Sequence, residues 1–395
     1  MSRKPVLSAV CAGNGAFAAA VRRIAGQQQR SFTSTSQRNG MNTYSVSVFK
    51  ELYNSNITHF TPTSSPELDS LLSEIRTKII LPSYLPEEQR KKIFSRKWEK
   101  RLNADPIVIE IDGEIINFRY LNPLTDLPNT QNTTGLAIKQ FETAADFANL
   151  KPLLEGIHHT GRKIKPHFYV GIARIVGTKG HIYEIIECAR SARRTGFKLD
   201  NSEKVNEVLH HVQMKARNAD WDEAETKQAL RWAEMVVEML HDEVHQPKRS
   251  KDDPVLPGEI PLARDPMVLG APLHLAAILV SRYEAGEGIL DKVHKLAQDV
   301  VAVWPEGKKL RELYPAELYA EDVKMGYLTP PNKMVVYGTP LLHGFETAAK
   351  VVKPELASQL QSRCSMLRAE IDEARAILGP ETTRPRNIYN SFYDA

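Results

Sequence analysis

The chain has 395 residues and a mass of 44.5 kDa, is 42% hydrophobic and 25% charged, and has a mean hydropathy of −0.36. That length can bury one large or two modest cores, and the polarity excludes a bundle of membrane spans, so a soluble globular protein is expected. Lys plus Arg number 52 against 48 Asp plus Glu, too even a balance to define a partner, and three scattered cysteines (Cys11, Cys188, Cys364) exclude a zinc ribbon or disulfide framework and fit a reduced compartment.

Residues 1–50 contain no Asp or Glu, while Arg3, Lys4, Arg22, Arg23, Arg30 and Arg38 lie among Ala, Ser, Thr and Gln. This composition predicts a mitochondrial presequence over 1–40 and hence a matrix location; a basic arm that binds RNA or acidic protein is the alternative. A basic region follows over 41–134. Ser65 before Pro66 predicts a helix to about 79, residues 81–84 a break, and Pro86-Glu87-Glu88 a second helix to about 101 with acids in its first turn and bases in its last. Between Arg76 and Arg101 nine basic residues face three acidic ones. Two β-branched runs at 107–111 and 115–120 around Asp112-Gly113 predict a hairpin, and 121–134 reads as a loop.

A helical domain is expected over 135–246. Thr160-Gly161-Arg162-Lys163-Ile164-Lys165 recurs 35 residues later as Thr195-Gly196-Phe197-Lys198-Leu199-Asp200, the period of a helical-hairpin array. Helices are predicted at about 166–175 and 181–194, capped by Gly196, then at 202–216 and 221–241. Nine basic residues between Arg162 and Asp200 oppose Glu184, Glu187 and Asp200, so contact with phosphates competes with an ordinary solvated helix face. A linker over 247–265 precedes a C-terminal helical domain over 266–380, with helices at 266–283, 288–303, 315–324, 340–352 and 354–378. The first is very apolar, but its longest apolar stretch, near 267–280, falls short of 18 residues and contains Pro272 and His274, so no membrane crossing is expected. The tail, 381–395, is aromatic, basic and aperiodic, suited to docking on a partner or to fraying.

The chain lacks a recognisable catalytic constellation. His241 and His245 are four apart, but the carboxylates between them do not follow the metalloprotease order. His158-His159 and His210-His211 diverge on a helix, and Cys188 and Cys364 suit packing. No nucleophile elbow or glycine-rich phosphate loop occurs. No catalytic residue, metal, cofactor or small-molecule substrate is therefore expected.

Tyr169, Gly180, Gly196, Lys198 and Asp200 fall at spacings that resemble a pentatricopeptide repeat. The resemblance covers one good unit, 165–200, and the end of a preceding one. It implies a mainly α fold: a helical-hairpin, pentatricopeptide-like solenoid core with a small β-hairpin near the N-terminal side. The base-reading position of the first helix is Gly171, so the family's RNA code does not carry over. Taken whole, with its presequence and basic patches, the chain resembles a fungal mitochondrial ribosomal protein, the large subunit being favoured. That resemblance implies a structural component that supports mitochondrial translation by touching mitochondrial rRNA and other mitoribosomal proteins. The candidate RNA contacts are Arg90, Lys91, Lys92, Arg96, Lys97, Arg162, Lys163, Lys165, Arg193, Arg194 and Lys198. A free pentatricopeptide-like factor that processes or translates transcripts, and a matrix enzyme on a helical scaffold, are the other readings.

Overall fold

The computed structural model describes residues 44–45, 57–249, 255–283, 286–320 and 324–394; the expected presequence, with Cys11, lies outside them. The described chain is mainly helical, as expected, with one small sheet. Its apolar side chains form two cores. The smaller gathers Ile57, Leu81, Leu85, Ile93, Leu102, Ile109, Ile111, Ile116 and Phe118; the larger takes in the rest of the chain from Leu68 to Phe392.

Helix α1 (Pro66–Glu74) opens as predicted, with the Ser65 hydroxyl accepting from the Leu68 amide and Pro66 in the first turn. The predicted continuation to 79 widens into a π-helix over Ile75–Ile80 and tightens into a 3-10 turn over Leu81–Tyr84. This is where the chain changes cores: Ile75, Ile79 and Ile80 pack into the large one, Leu81 and Leu85 into the small one. A uniform helix cannot turn its apolar face so abruptly, and the pitch changes serve that turn. The second predicted helix is likewise broken, into α2 (Glu87–Ile93), a 3-10 turn over Arg96–Trp98 and α3 (Glu99–Ala104).

Strands β2 (Ile107–Ile111) and β3 (Glu114–Phe118) form the predicted hairpin, with Ile107 opposite Phe118 and Ile111 opposite Glu114. Asp112 and Gly113, at φ 51° and 83°, make the left-handed turn that this dipeptide favours. Strand β1 (Tyr44–Ser45) adds a short parallel edge to β2. The loop expected to run to 134 ends earlier, because Asn129 caps α4 (Thr130–Gln140) through the Asn132 amide.

Helices α5 (Ala144–Ala148), α6 (Leu150–His159), α7 (Pro166–Thr178), α8 (Ile182–Arg190) and α9 (Ala192–Thr195) carry the repeated segment. The repeat is a repeat of turn geometry. Gly161 and Gly196 are left-handed at φ 66° and 72°, and each preceding threonine hydroxyl accepts from the amide two residues on, Arg162 (3.2 Å) and Phe197 (3.1 Å). The predicted cap at Gly196 is observed. Helix α10 (Ser202–Asn218) then packs on α7 and α8, and α11 (Glu223–Met239) on α10 and α8.

In the C-terminal half, α12 (Pro266–Tyr283) is long and apolar enough to cross a membrane by length and composition, yet Met267 to Leu279 are buried among α10, α11, α13 (Glu287–Val303) and α14 (Pro331–Ala349). Helix α14 begins nine residues before the predicted start: Pro331, not Pro340, occupies its first turn, and Pro340 lies inside it. The stretch around 315–324 is a 3-10 turn over Ala316–Ala320. Helix α15 (Pro354–Ile377) follows as predicted. The aperiodic tail is a helix, α16 (Thr383–Tyr393), which docks on α14 through Ile388, Tyr389 and Phe392, so its partner is its own chain.

Candidate nucleic-acid interface

The basic residues divide into those the fold uses and those it leaves in water. In the N-terminal region Arg76 is used. Its guanidinium makes a two-point contact with Glu114 (3.0 and 2.6 Å) and donates to the Thr58 carbonyl (2.7 Å), tying the π-helix to the hairpin. Lys78 pairs with Glu74 and Lys91 with Glu87, both along one helix face. Lys91 thereby holds the Glu87 carboxyl below its ordinary range. Among the described residues Arg90, Arg96, Lys97 and Lys100 have no ion pair, and the last three are exposed. Lys92 and Arg101, from different helices, both lie over the Trp98 ring, at 5.2 and 5.4 Å from its centroid.

The repeat is less basic outside than its sequence suggests. Arg174 turns inward onto Glu207, Lys179 donates to the carbonyls of Lys139 and Phe141 (2.7 and 2.6 Å), and Arg190 pairs with Glu187. Two candidate contacts are also engaged. Arg162 is half-buried and donates to Thr130 Oγ1 (2.9 Å), while Arg194 bonds Glu155 (2.9 Å). Lys163, Lys165 and Arg193 are exposed without an ion pair among the described residues. Lys198 is half-buried beside His158; burial and the lysine's charge together hold that imidazole below its ordinary value, so it adds no charge at neutral pH. Thus Arg90, Lys92, Arg96, Lys97, Lys163, Lys165, Arg193 and Lys198 remain as candidates with no carboxylate partner among the described residues, and Lys91, Arg162 and Arg194 are partly spent. Sequence reasoning passed over Arg101 and Trp98, whose aromatic-basic spacing, Trp98 to Arg101, was the available signal.

One cluster of titratable groups escaped the sequence altogether. The fully buried Glu207 carboxylate receives Arg174 (3.1 and 3.2 Å), Arg384 (2.7 Å) and the Tyr337 hydroxyl, with His211 at 3.3 Å; the His211 hydrogen bond and the two guanidinium charges hold it well below its ordinary range despite burial. Beside it Gln213, His274 and His343 form a chain of 2.8 Å hydrogen bonds. Burial keeps both imidazoles neutral, His343 at about 4, so His343 Nδ1 donates to His274, whose Nδ1 donates to the Gln213 carbonyl. The cavity beside this cluster, lined by Asn206, His210, Gln213 and Tyr337, holds about 10 Å³, room for one water and no substrate. The cluster is a fastening: it joins α7, α10, α14 and α16. A larger open groove of about 680 Å³ lies between the α10 N-terminus and the segment before α12, but its buried titratable groups are engaged. His245 Nδ1 accepts from the Leu199 amide (3.0 Å), and Asp265 from Tyr314 and Met267.

Residues 42–393 match the family described as mitochondrial ribosomal protein mS27. A relative from Neurospora crassa, small ribosomal subunit protein mS27, is 38% identical over 335 residues, which span 81% of this chain and 84% of the relative. That relative is a small-subunit protein, which overturns the expectation of the large subunit; basic patches and helices are common to both subunits and carry no mark of either.

Proposed function

The chain belongs to the mitochondrial ribosomal protein mS27 family, and from that premise we propose that it is built into the small subunit of the mitochondrial ribosome in the matrix, where it holds rRNA by its phosphates. The family is ribosomal and structural, so the reading as an enzyme is set aside. Its helical body presents surfaces to neighbouring ribosomal proteins, and its unspent cations face the RNA backbone.

The observation that carries this reading is the contrast between Arg174, Lys179, Arg190 and Arg194, each engaged by a carboxylate or carbonyl of its own chain, and Arg96, Lys97, Lys163, Lys165 and Arg193, which stand in water without a carboxylate partner among the described residues. A cation with a local partner has little to gain from a phosphate; one without releases condensed counterions when it meets one. Gly171, on a half-buried stretch of α7, offers no side chain to a base edge, so the contact is to backbone and independent of sequence.

The test is sedimentation of the tagged full chain from mitochondrial lysate. The expected result is migration with the small subunit, release at high salt, and loss of association when Arg96, Lys97, Lys163, Lys165 and Arg193 are changed to Glu with the circular dichroism unaltered. Migration in the light fractions would refute the subunit reading. Undiminished association of the charge-reversed chain would refute the RNA reading and leave protein neighbours as the anchor.

A further inference from the structure

We infer that Lys92, Trp98 and Arg101 form a preorganised clamp for the phosphodiester backbone of RNA, an assignment that rests on the proposed function and narrows it to one place. Lys92 ends α2, Arg101 lies in the last turn of α3, and Trp98 belongs to the 3-10 turn between them. The break in the helix at Phe94 and Ser95 brings the two cations over one indole, at 5.2 and 5.4 Å from its centroid. Trp98 itself is half-buried and packed against the small core, so the ring is a fixed platform.

What separates this arrangement from a solvated helix face is how the cations are held. Lys91, one residue away, instead pairs with Glu87 along the helix face, which offsets part of its charge. An aromatic face orders a lysine or arginine and leaves its full charge to act on something else. Free long side chains lose rotamer freedom when they grip a ligand; here that loss is already taken in the fold. Arg96, Lys97 and Lys100 extend the positive field, and the nearest acids in the chain are Glu88 and Glu99. The two cations occupy the approach to the indole, so the ligand is the phosphate and not a stacked base.

The experiment measures binding of a fluorescent mixed-sequence RNA duplex to the full chain across a salt series. The Lys92→Gln/Arg101→Gln double variant is expected to make the slope of log affinity against log salt shallower by about 1.8, the share of two phosphates. Trp98→Leu is expected to keep the wild-type slope and weaken binding about threefold to tenfold, with Trp98→Phe in between. The clamp is refuted if the double variant keeps the wild-type slope while Arg96→Gln/Lys97→Gln loses affinity, an outcome that leaves the wider RNA reading standing. Absence of salt-dependent binding in the wild type sinks both. A slope lost equally in Trp98→Leu and Trp98→Phe makes Trp98 a prop for the fold and overturns its role in ordering the cations.

Discussion

Replacing Glu207 by Gln isolates the charge of the buried carboxylate while keeping its shape. In the native fold its two oxygens meet only donors: Arg174 Nε and Nη2 at 3.1 and 3.2 Å, Arg384 Nη2 at 2.7 Å and the Tyr337 hydroxyl. Gln turns one acceptor into a donor and leaves two guanidinium groups without a counter-charge. Breaking a fully buried ion pair costs about 3–5 kcal/mol. The arginine side chains are 36% and 32% exposed, so water recovers part of that and about 2–3 kcal/mol is expected. The sign with pH is fixed. The folded carboxyl sits well below the 4.5 of the free group, so its contribution is complete above about 4.5 and drains away as pH falls toward the folded value. Urea unfolding of both proteins should show a gap at neutral pH that narrows by about 1.4 kcal/mol per pH unit below 4.5. Proteolysis should cut the variant first at α16, which Arg384 fastens. A variant within about 0.5 kcal/mol of wild type, the ordinary scatter of surface changes, refutes the reasoning, as does a gap indifferent to acid.

Two other perturbations test the fold. Burial pushes the Asp265 carboxyl up to about 6 from 3.8, so between those values the folded state holds a proton that the unfolded chain has released, and stability falls as pH rises through the window. Asp265→Asn keeps the acceptor for the Tyr314 hydroxyl and the Met267 amide and should gain up to about 3 kcal/mol above pH 7, flattening the stability profile; an unchanged profile removes Asp265 as its source. Gly344 lets α14 approach α12, since a Cβ there would lie 2.6 Å from His274 Cβ and 3.2 Å from its Cα, so Gly344→Ala should lower stability by about 1–3 kcal/mol. Gly171 has nothing within 4 Å of a built Cβ, and Gly171→Ala inside α7 should raise stability by about 0.5–1 kcal/mol. Thermal melts that rank the two glycines the other way would contradict the packing.

What the sequence disclosed depended on how far each signal reached. Asp112-Gly113 fixes the hairpin within its own turn, and Pro66, Pro166, Pro266 and Pro354 open helices because a first-turn proline needs no partner elsewhere. Pro340 carries the same mark and misleads, because Pro331 supplies the start and the surrounding packing holds the helix through the missing hydrogen bond. The tail's helix was invisible for a related reason: Arg384 meets Glu207 across 177 residues, and Phe392 packs on Trp221 and His343. At the candidate interface the charges were legible and their partners were not. Arg76 finds Glu114 at a separation of 38, Arg174 finds Glu207 at 33 and Arg194 finds Glu155 at 39, distances in sequence over which no local pattern operates.

Unpaired cations gather densely on the helices of the smaller core, and Lys163, Lys165 and Arg193 add to them on the helical body. Helices α6 to α10 pack against one another, so a cation turned between them must be paired or leave a charge stranded in low dielectric, and Glu207 supplies that pair for Arg174. Helices α2 and α3 are short, and each buries a single residue, Ile93 and Leu102, in a core of nine. Most of their surface is solvated, where an unpaired lysine costs nothing to keep. The small module leans on the helical body through the stacked rings of Tyr84 and His159, 4.4 Å apart. Excess positive charge on such a module is the arrangement that a sequence-independent grip on phosphates requires.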